Sequence, residues 1–412
     1  MHDFGRSDDA AVQLQLSRLA ALSLPTGRLG LETIRALLAR LGDPHKRLPP
    51  TFHVAGTNGK GSTCAFLRAM LETEGYRVHV TTSPHLVRYN ERIRVAGKLI
   101  EDDRLAGLLE EVFDAGADLN PSFFEVTIAA AFTEFARVPA DACVVEVGLG
   151  GRFDATNVLE PEVLAACGIA ALGLDHERFL LAPEEGVPKE PMARIAFEKA
   201  GIAKPGVPLV TIAQPEMEMA AIRAVAGRVR APVSVAGIAS DLPLALPGTH
   251  QRANAGLAIA MLRAQSLLPI ASQSIEAGMN EARWPARLQR VSPGPLTGTR
   301  EVWLDGGHNL SAGQALAAHF AGQRLHLIIG MIEGKDPAAL TGPLANYLAS
   351  LSAVPVPTHD WHPAENFGNQ AVQFPDVPSA LAAIPNDGLP ILIAGSLYLA
   401  GEVLRLNNEL PD

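Results

Sequence analysis

Short apolar runs alternate with amphipathic stretches along most of the chain. The runs "TFHVAG" (51–56), "RVHVTT" (77–82), "DACVVEVG" (141–148), "EVLAACGIAAL" (162–172) and "GVPLVTIA" (206–213) read as buried strands. Between them, stretches such as "STCAFLRAMLETEG" and "FFEVTIAAAFTEFAR" carry a helical pattern. Strand–helix–strand alternation of this kind predicts a parallel sheet covered on both faces. A second set follows in "REVWLDGG" (300–307), "RLHLIIGM" (324–331) and "LPILIAGS" (389–396), again with helical segments between. The stretch "RWPARLQRVSPGPLTGT" (283–299) is rich in Pro and Gly and separates the two sets. The expected organisation is therefore a two-domain α/β protein: residues 1–290, a linker at 291–299, and residues 300–412. "LAPEEGVPKEPMA" (181–193), rich in Pro and Glu, reads as an exposed loop, and no internal repeat is apparent.

Length agrees with this division, since 412 residues exceed one typical domain. A net charge of −10, with no Lys/Arg cluster to offset it, argues against nucleic acid or an anionic membrane as partner. An anionic substrate would need a locally positive site. No apolar run approaches the roughly 20 residues that span a bilayer. The N-terminal "MHDFGRSDDAAVQLQ" lacks the apolar core of a secretory signal. Cys64, Cys143 and Cys167 lie in apolar company without metal-like spacing, which suits reduced, buried thiols and a cytoplasmic protein.

The candidate chemistry begins at "HVAGTNGKGST" (53–63). The common phosphate loop is G-x-x-x-x-G-K-[ST]. Counted from Lys60, its first Gly falls on Val54 and its hydroxyl residue on Gly61, so the match is imperfect. The physics still fits phosphate. A strand ends at Ala55, glycines let backbone N–H groups turn inward, a helix is expected to start near Ser62, and Lys60 can reach terminal phosphates. The residues that would grip a nucleotide are Gly56, Thr57, Asn58, Gly59, Lys60, Gly61 and Ser62. The plainer reading is a Gly-rich turn with Ser62 as helix cap. The displaced hydroxyl disfavours a standard P-loop kinase or GTPase.

The loop "GTNGKGS" resembles that of the Mur ligase superfamily, and its "KGS" ending is similar to the folate branch, dihydrofolate synthase and folylpolyglutamate synthase. Further motifs occur in the family's order: "LGLETIRALLARLGDP", "TTSPHLVRYNERIRVAG", "VVEVGLGGRFDATNV", "GLDH", "FEKAGIAKPG", "WPARLQRV", "LDGGHN", "GMIEGKD" and "AGSLYLAGEV". The resemblance implies a Mur ligase-like, P-loop-type central domain and a smaller Rossmann-like C-terminal domain that closes over ATP and binds glutamate. It also implies ATP-dependent amide formation. A carboxylate of dihydropteroate or a folate is phosphorylated to an acyl phosphate, and the amine of L-glutamate then displaces phosphate. ATP and Mg²⁺, at two sites, are the expected cofactors, and a monomer is expected.

Site residues follow from the same likeness. Glu146 ends an apolar strand, where a carboxylate is costly unless paired, bound to metal or at the strand's open end. The resemblance makes it a magnesium ligand. It assigns Ser83 in "TTSPH" and His176 in "GLDH" the same work, and makes Lys199 in "FEKAGI" a lysine that carries a carboxyl group from CO₂ as an extra oxygen ligand. Taken singly, Ser83 is a turn residue, His176 a polar loop residue and Lys199 an exposed helical lysine. The segment between His176 and Lys199 is longer than the family usual. For the second domain, Asn254 resembles an adenine contact, Arg287 an Arg reaching ATP phosphate, and Asp305 a residue reaching the nucleotide. Leu310 stands where the family has Pro. The pterin side maps to Arg28, Leu29, Gly30, Leu31, Ser122, Phe123, Phe124, Glu125, Phe153, Asp154 and Ala155. Phe123 and Phe124 offer flat faces for a fused ring, or else helix core, and Asp154 could accept from the pterin amino group. Two rivals stand beside this reading: a peptidoglycan-type Mur ligase, and a nucleotide-binding protein without catalysis.

Overall fold

The computed structural model describes residues 6–22, 30–240 and 243–412. The chain divides into two compact units, Met1–Ala245 with Gln251–Arg283, and Leu246–His250 with Trp284–Asp412.

The first unit is built on eight strands: β1 (Thr51–Ala55), β2 (Val78–Thr81), β3 (Ile93–Val95), β4 (Lys98–Leu99), β5 (Ala142–Glu146), β6 (Leu164–Ile169), β7 (Leu209–Thr211) and β8 (Val233–Val235). Their order is β4-β3-β2-β5-β1-β6-β7-β8. All neighbours from β2 to β8 pair in parallel, whereas β3 and β4 form an antiparallel extension. All five expected strands are present. Their near-continuous apolar runs suit a sheet covered on both faces, and every residue of β1, β5 and β6 is buried. The β3–β4 hairpin escaped the sequence reading because it is short and turns on Ala96 and Gly97, at φ 48° and 91°, without an Asn-Gly signal. Strand β8, with Ser234 and Val235 exposed, also lacked a buried run.

Helix Lys60–Thr73 follows β1 directly and is buried through most of its length. It packs on helices Gln251–Arg263 and Ser272–Glu281. At Gly278 an added Cβ would lie 2.5 Å from Cα of Met70, so the two backbones meet where only Gly fits. The loops after β1, β2, β5 and β6 all leave the carboxyl ends of parallel strands. In open α/β sheets that edge is where ligands bind.

The second unit contains β9 (Gln289–Arg290), β10 (Val302–Asp305), β11 (Leu325–Ile329), β12 (Leu348–Ala353), β13 (Ala371–Gln373) and β14 (Ile391–Ala394), in the order β13-β12-β11-β14-β10-β9. Only β9 is antiparallel. Leu327, Ile329, Leu392, Leu316, Phe320 and Leu340 centre its core. The units part at Arg283/Trp284, at the start of the Pro- and Gly-rich stretch 283–299, and residues 291–299 belong to the second unit rather than to a linker. The reason is pairing: Arg290 and Gln289 register with Trp303 and Leu304, which makes this stretch part of the second sheet. Asn254 correspondingly belongs to the first unit.

Cys64, Cys143 and Cys167 are all free and buried. Burial pushes the Cys167 thiol up to about 12. Among the described residues, no helix is long and apolar enough to cross a membrane.

Candidate active site

In the loop after β1, the N–H groups of Thr57 and Asn58 donate to the carbonyl of Ala171, at 2.8 and 3.1 Å, and Thr57 Oγ1 donates to Gly173 O at 2.9 Å. These bonds tie the loop to the segment that follows β6. Gly59 takes φ 85°, a left-handed conformation that suits Gly, and the helix begins at Lys60, two residues before Ser62. Ser62 is therefore inside the helix. A Cβ on Gly59 would lie 2.2 Å from Asn254 Oδ1, so Asn254 presses on the loop. Its Nδ2 donates to Gln251 Oε1 at 2.9 Å, and Gln251 Nε2 donates to Ser62 Oγ at 3.2 Å. Gln251, fully buried, had drawn no attention in the sequence; its position three residues before Asn254 on one helix face was the available signal.

Two lysines meet at this loop. Lys60 Nζ donates to the Gly56 carbonyl at 3.1 Å, and Lys199 Nζ donates to the same oxygen at 2.9 Å. Lys199 is not the exposed helical lysine of the simpler reading, since only 4% of it is accessible. Burial, and then the charge of Lys60, bring its amine down to about 7, against partial support from Asp175, Asp154 and Glu198.

Glu146 closes β5, next to β1, with Val54 and Glu146 in register. It is buried, and its Oε2 accepts the N–H of Ser83 from the loop after β2, at 3.2 Å. The structure thus brings together two of the expected magnesium ligands. His176 lies beyond β6 at φ 53°; its N–H donates to Asp175 Oδ1 at 2.8 Å, and its Nε2 is 3.8 Å from Asp175 Oδ2. Among the described residues, no three His, Cys, Asp or Glu side chains gather as a cage for a metal. That donor set fits a hard cation that keeps waters and shares phosphate oxygens, for which one or two protein oxygens suffice. It does not fit a structural zinc-type site.

Of the residues assigned to a pterin, Ser122, Glu125 and Asp154 spend their polar atoms on the protein's own groups. Ser122 and Glu125 are a reciprocal cap of helix Phe123–Arg137. Glu125 Oε2 accepts from both N and Oγ of Ser122 at 2.8 Å, and Ser122 Oγ accepts the N–H of Glu125 at 3.3 Å. Their visible task is to fix where Phe123 and Phe124 start the helix. The Phe124 ring lies over Gly148, where a Cβ would sit 2.4 Å from it. The Phe123 ring faces Tyr89 edge-on at 6.0 Å and the Arg92 guanidinium at 5.3 Å. Asp154 is buried; one oxygen accepts the N–H of Leu149 at 2.8 Å and the other accepts from N and Oγ1 of Thr156. It therefore shapes the loop 149–156 that carries Phe153 and Ala155. Gly30 and Leu31 precede helix Glu32–Arg40. Arg28 and Leu29 lie outside the described residues.

In the second unit, Asp305 ends β10 and both its oxygens are engaged: Oδ2 accepts the N–H of Leu288 and Oδ1 that of Gly307, at 2.8 and 2.7 Å. Asp305 thus anchors the turn that bears Arg287. That turn is strained, with Ala286 at φ 55° and Leu288 at φ 47° on either side of the arginine.

Comparison with known proteins bears on this arrangement. No family model matches the chain. Dihydrofolate synthase/folylpolyglutamate synthase of Bacillus subtilis is 33% identical over 430 residues, covering 91% of this chain and 94% of that protein. The protein of the same description from Escherichia coli is 33% identical over 423 residues, covering 95% and 94%. The structure of E. coli FolC in complex with DHPP and ADP superposes with a TM-score of 0.84 at 31% identity, over 97% of this chain and 98% of that one. A bifunctional folylpolyglutamate synthase/dihydrofolate synthase from Yersinia pestis, complexed with AMPPNP and Mn ion, gives 0.81 at 28% identity, over 97% and 99%. With a third of its residues identical to these relatives over nearly the whole of both chains, the chain belongs to the dihydrofolate synthase/folylpolyglutamate synthase family.

Proposed function

We propose that this protein joins L-glutamate to dihydropteroate, giving dihydrofolate, and extends folates in the same way, in a ligation driven by ATP and Mg²⁺. The observation that carries the reading is the convergence of Lys60 and Lys199 on the Gly56 carbonyl, at the mouth of a helix and one strand away from Glu146. The family relationship favours the folate branch over a peptidoglycan ligase or a nucleotide-binding protein without catalysis.

The residues divide the work by chemistry. The helix N-terminus and Lys60 place positive potential on the loop 56–62, where a triphosphate is held. Asn254 beside Gly59 serves the adenine, and Arg287 and Asp305 are assigned to the nucleotide by their motifs. Glu146 and Ser83 supply oxygens to one Mg²⁺. His176 and Lys199 serve a second. Magnesium, when bound, offsets charge on the transferring phosphoryl oxygens. The amine of Lys199, held near neutrality by burial, has a lone pair for CO₂; an N–C bond forms, a proton leaves, and a carboxylate replaces the cation. Phe123, Phe124 and Phe153 offer faces to the pterin, on a frame set by Ser122, Glu125, Asp154 and Ala155, and Arg28, Leu29, Gly30 and Leu31 are assigned to it by their motif. Free, buried thiols accord with a cytoplasmic setting.

The test is product analysis with ATP, Mg²⁺ and glutamate, plus either dihydropteroate or tetrahydrofolate. Mass gain of one glutamate on the pterin, with stoichiometric ADP, supports the reading. Turnover of UDP-linked peptidoglycan precursors with none on either pterin overturns it.

A further inference from the structure

The segment between His176 and Lys199 does not behave as a wholly exposed loop. Residues 182, 183, 185 and 186 are exposed, but Leu180 and Glu184 turn inward. Leu180 is buried, its carbonyl accepts from Arg194 Nε at 3.0 Å, and its Cδ2 occupies the space 2.9 Å from where a Cβ on Gly150 would stand. Glu184 reaches two arginines: Arg152 Nη1 at 3.1 Å and Arg194 Nη2 at 2.8 Å. The same two arginines hold Glu198, from Arg152 Nη2 at 2.8 Å and Arg194 Nη2 at 3.0 Å.

Arg152 is the hub of this network. Its N–H donates to the carbonyl of Glu198 at 2.8 Å, and its guanidinium lies over the rings of Phe153 at 4.3 Å and Phe197 at 4.9 Å. Glu198 is the residue before Lys199. The four side chains are 6 to 21% accessible, so the charges are two against two in a largely dry place. Without Glu184, two cations would share one buried anion, an arrangement that relaxes by moving an arginine. Arg152 loses more by that change, since its guanidinium gives two hydrogen bonds to Glu184, whereas Arg194 gives one and is also held on the Leu180 carbonyl.

We propose that Glu184 is a positioning residue. By closing the Arg152–Glu198–Arg194 network it fixes the Phe153 ring and the helix end that carries Lys199, and it makes residues 177–190 a strap across the glycine loop 148–152. The consequence for substrate rests on the reading of Phe153 as a pterin contact; the consequence for the loop does not.

The experiment compares the full-length wild type with Glu184→Ala and Glu184→Gln. Without substrate, amide exchange at Arg152 should quicken roughly tenfold in Glu184→Ala and less in Glu184→Gln, which keeps an acceptor. In turnover, the KM for dihydropteroate should rise roughly tenfold, the scale typical of lost outer-shell support, while the KM for ATP stays within about twofold. Unchanged exchange at Arg152 in both variants overturns the proposal. So does a loss in which all kinetic constants and the melting temperature worsen together, because that marks general destabilisation. If the wild type does not turn over dihydropteroate, the functional reading falls, and the exchange result still decides the strap.

Discussion

Lys60 and Lys199 donate to one acceptor, the carbonyl oxygen of Gly56, the first from the next turn of chain and the second from 143 residues away. Burial, and then the charge of Lys60 beside it, disfavour the ammonium form of the deeply buried lysine. Lys199 is that lysine, with its amine brought to about 7. The unfolded amine keeps its ordinary 10.5, so the folded chain binds fewer protons between about pH 7 and 10.5. Stability tied to this lysine therefore rises with pH across that window, and the penalty is complete below it.

The same relationship predicts how Lys199 responds to substitution and to CO₂. Lys199→Arg keeps a cation that cannot be deprotonated and cannot take up CO₂, and turnover should fall about 10- to 100-fold, as expected for a lost metal-side group. Removing bicarbonate should lower wild-type turnover and leave the variant unchanged. Steady-state assays in CO₂-depleted and bicarbonate-supplemented buffer check both arms.

His53 predicts acid sensitivity. It is fully buried on β1, with Nε2 2.8 Å from Thr156 Oγ1, and burial takes its imidazole down to about 3. The unfolded chain binds this proton below pH 6.5 and the folded chain does not. The contribution is therefore whole above pH 6.5 and is lost as pH falls toward 3, with a limiting slope of about 1.4 kcal/mol per pH unit. Urea unfolding of wild type and His53→Gln from pH 7 to pH 4.5 should show a shallower pH dependence in the variant.

Asp154 predicts a coupled loss of loop order and pterin affinity. Both carboxylate oxygens accept from backbone N–H groups, those of Leu149 and Thr156. An amide in its place offers one acceptor and turns its NH₂ toward a donor. Asp154→Asn should cost about 1–3 kcal/mol in urea unfolding and raise the KM for dihydropteroate more than the KM for ATP.

Gly278 separates packing from chemistry. Its missing Cβ lets helix Ser272–Glu281 lie against the backbone of Met70. Gly278→Ala should destabilise by about 1–3 kcal/mol through overpacking, as a lower melting temperature, while the folded enzyme keeps its KM for ATP.

How much of this was legible from residues alone varies with the range of the interaction. The strand–loop–helix form of residues 51–73 and the place of Glu146 at a strand end were legible, because the elements follow one another in the chain, although the helix starts at Lys60 rather than near Ser62. So were the buried central strands, whose apolar runs are continuous. The second sheet's β12 and β13 were not, because "LASLSA" and "AVQ" lack such a run. Nor was the place of Gln289 and Arg290, since a two-residue edge strand is defined only by its partner, β10. Lys199 reads as a surface lysine until the fold brings it to Gly56, more than a hundred residues away in sequence. Ser122 and Glu125 form a reciprocal helix cap that the pterin assignment did not include, although the S-x-x-E spacing was there to signal it.

The most direct measurement is ADP release by Lys60→Ala against wild type, with dihydropteroate and glutamate supplied together. The account predicts pterin- and glutamate-dependent ADP release by the wild type and its loss in the variant, with the variant still folded by circular dichroism. Undiminished release by Lys60→Ala would contradict it.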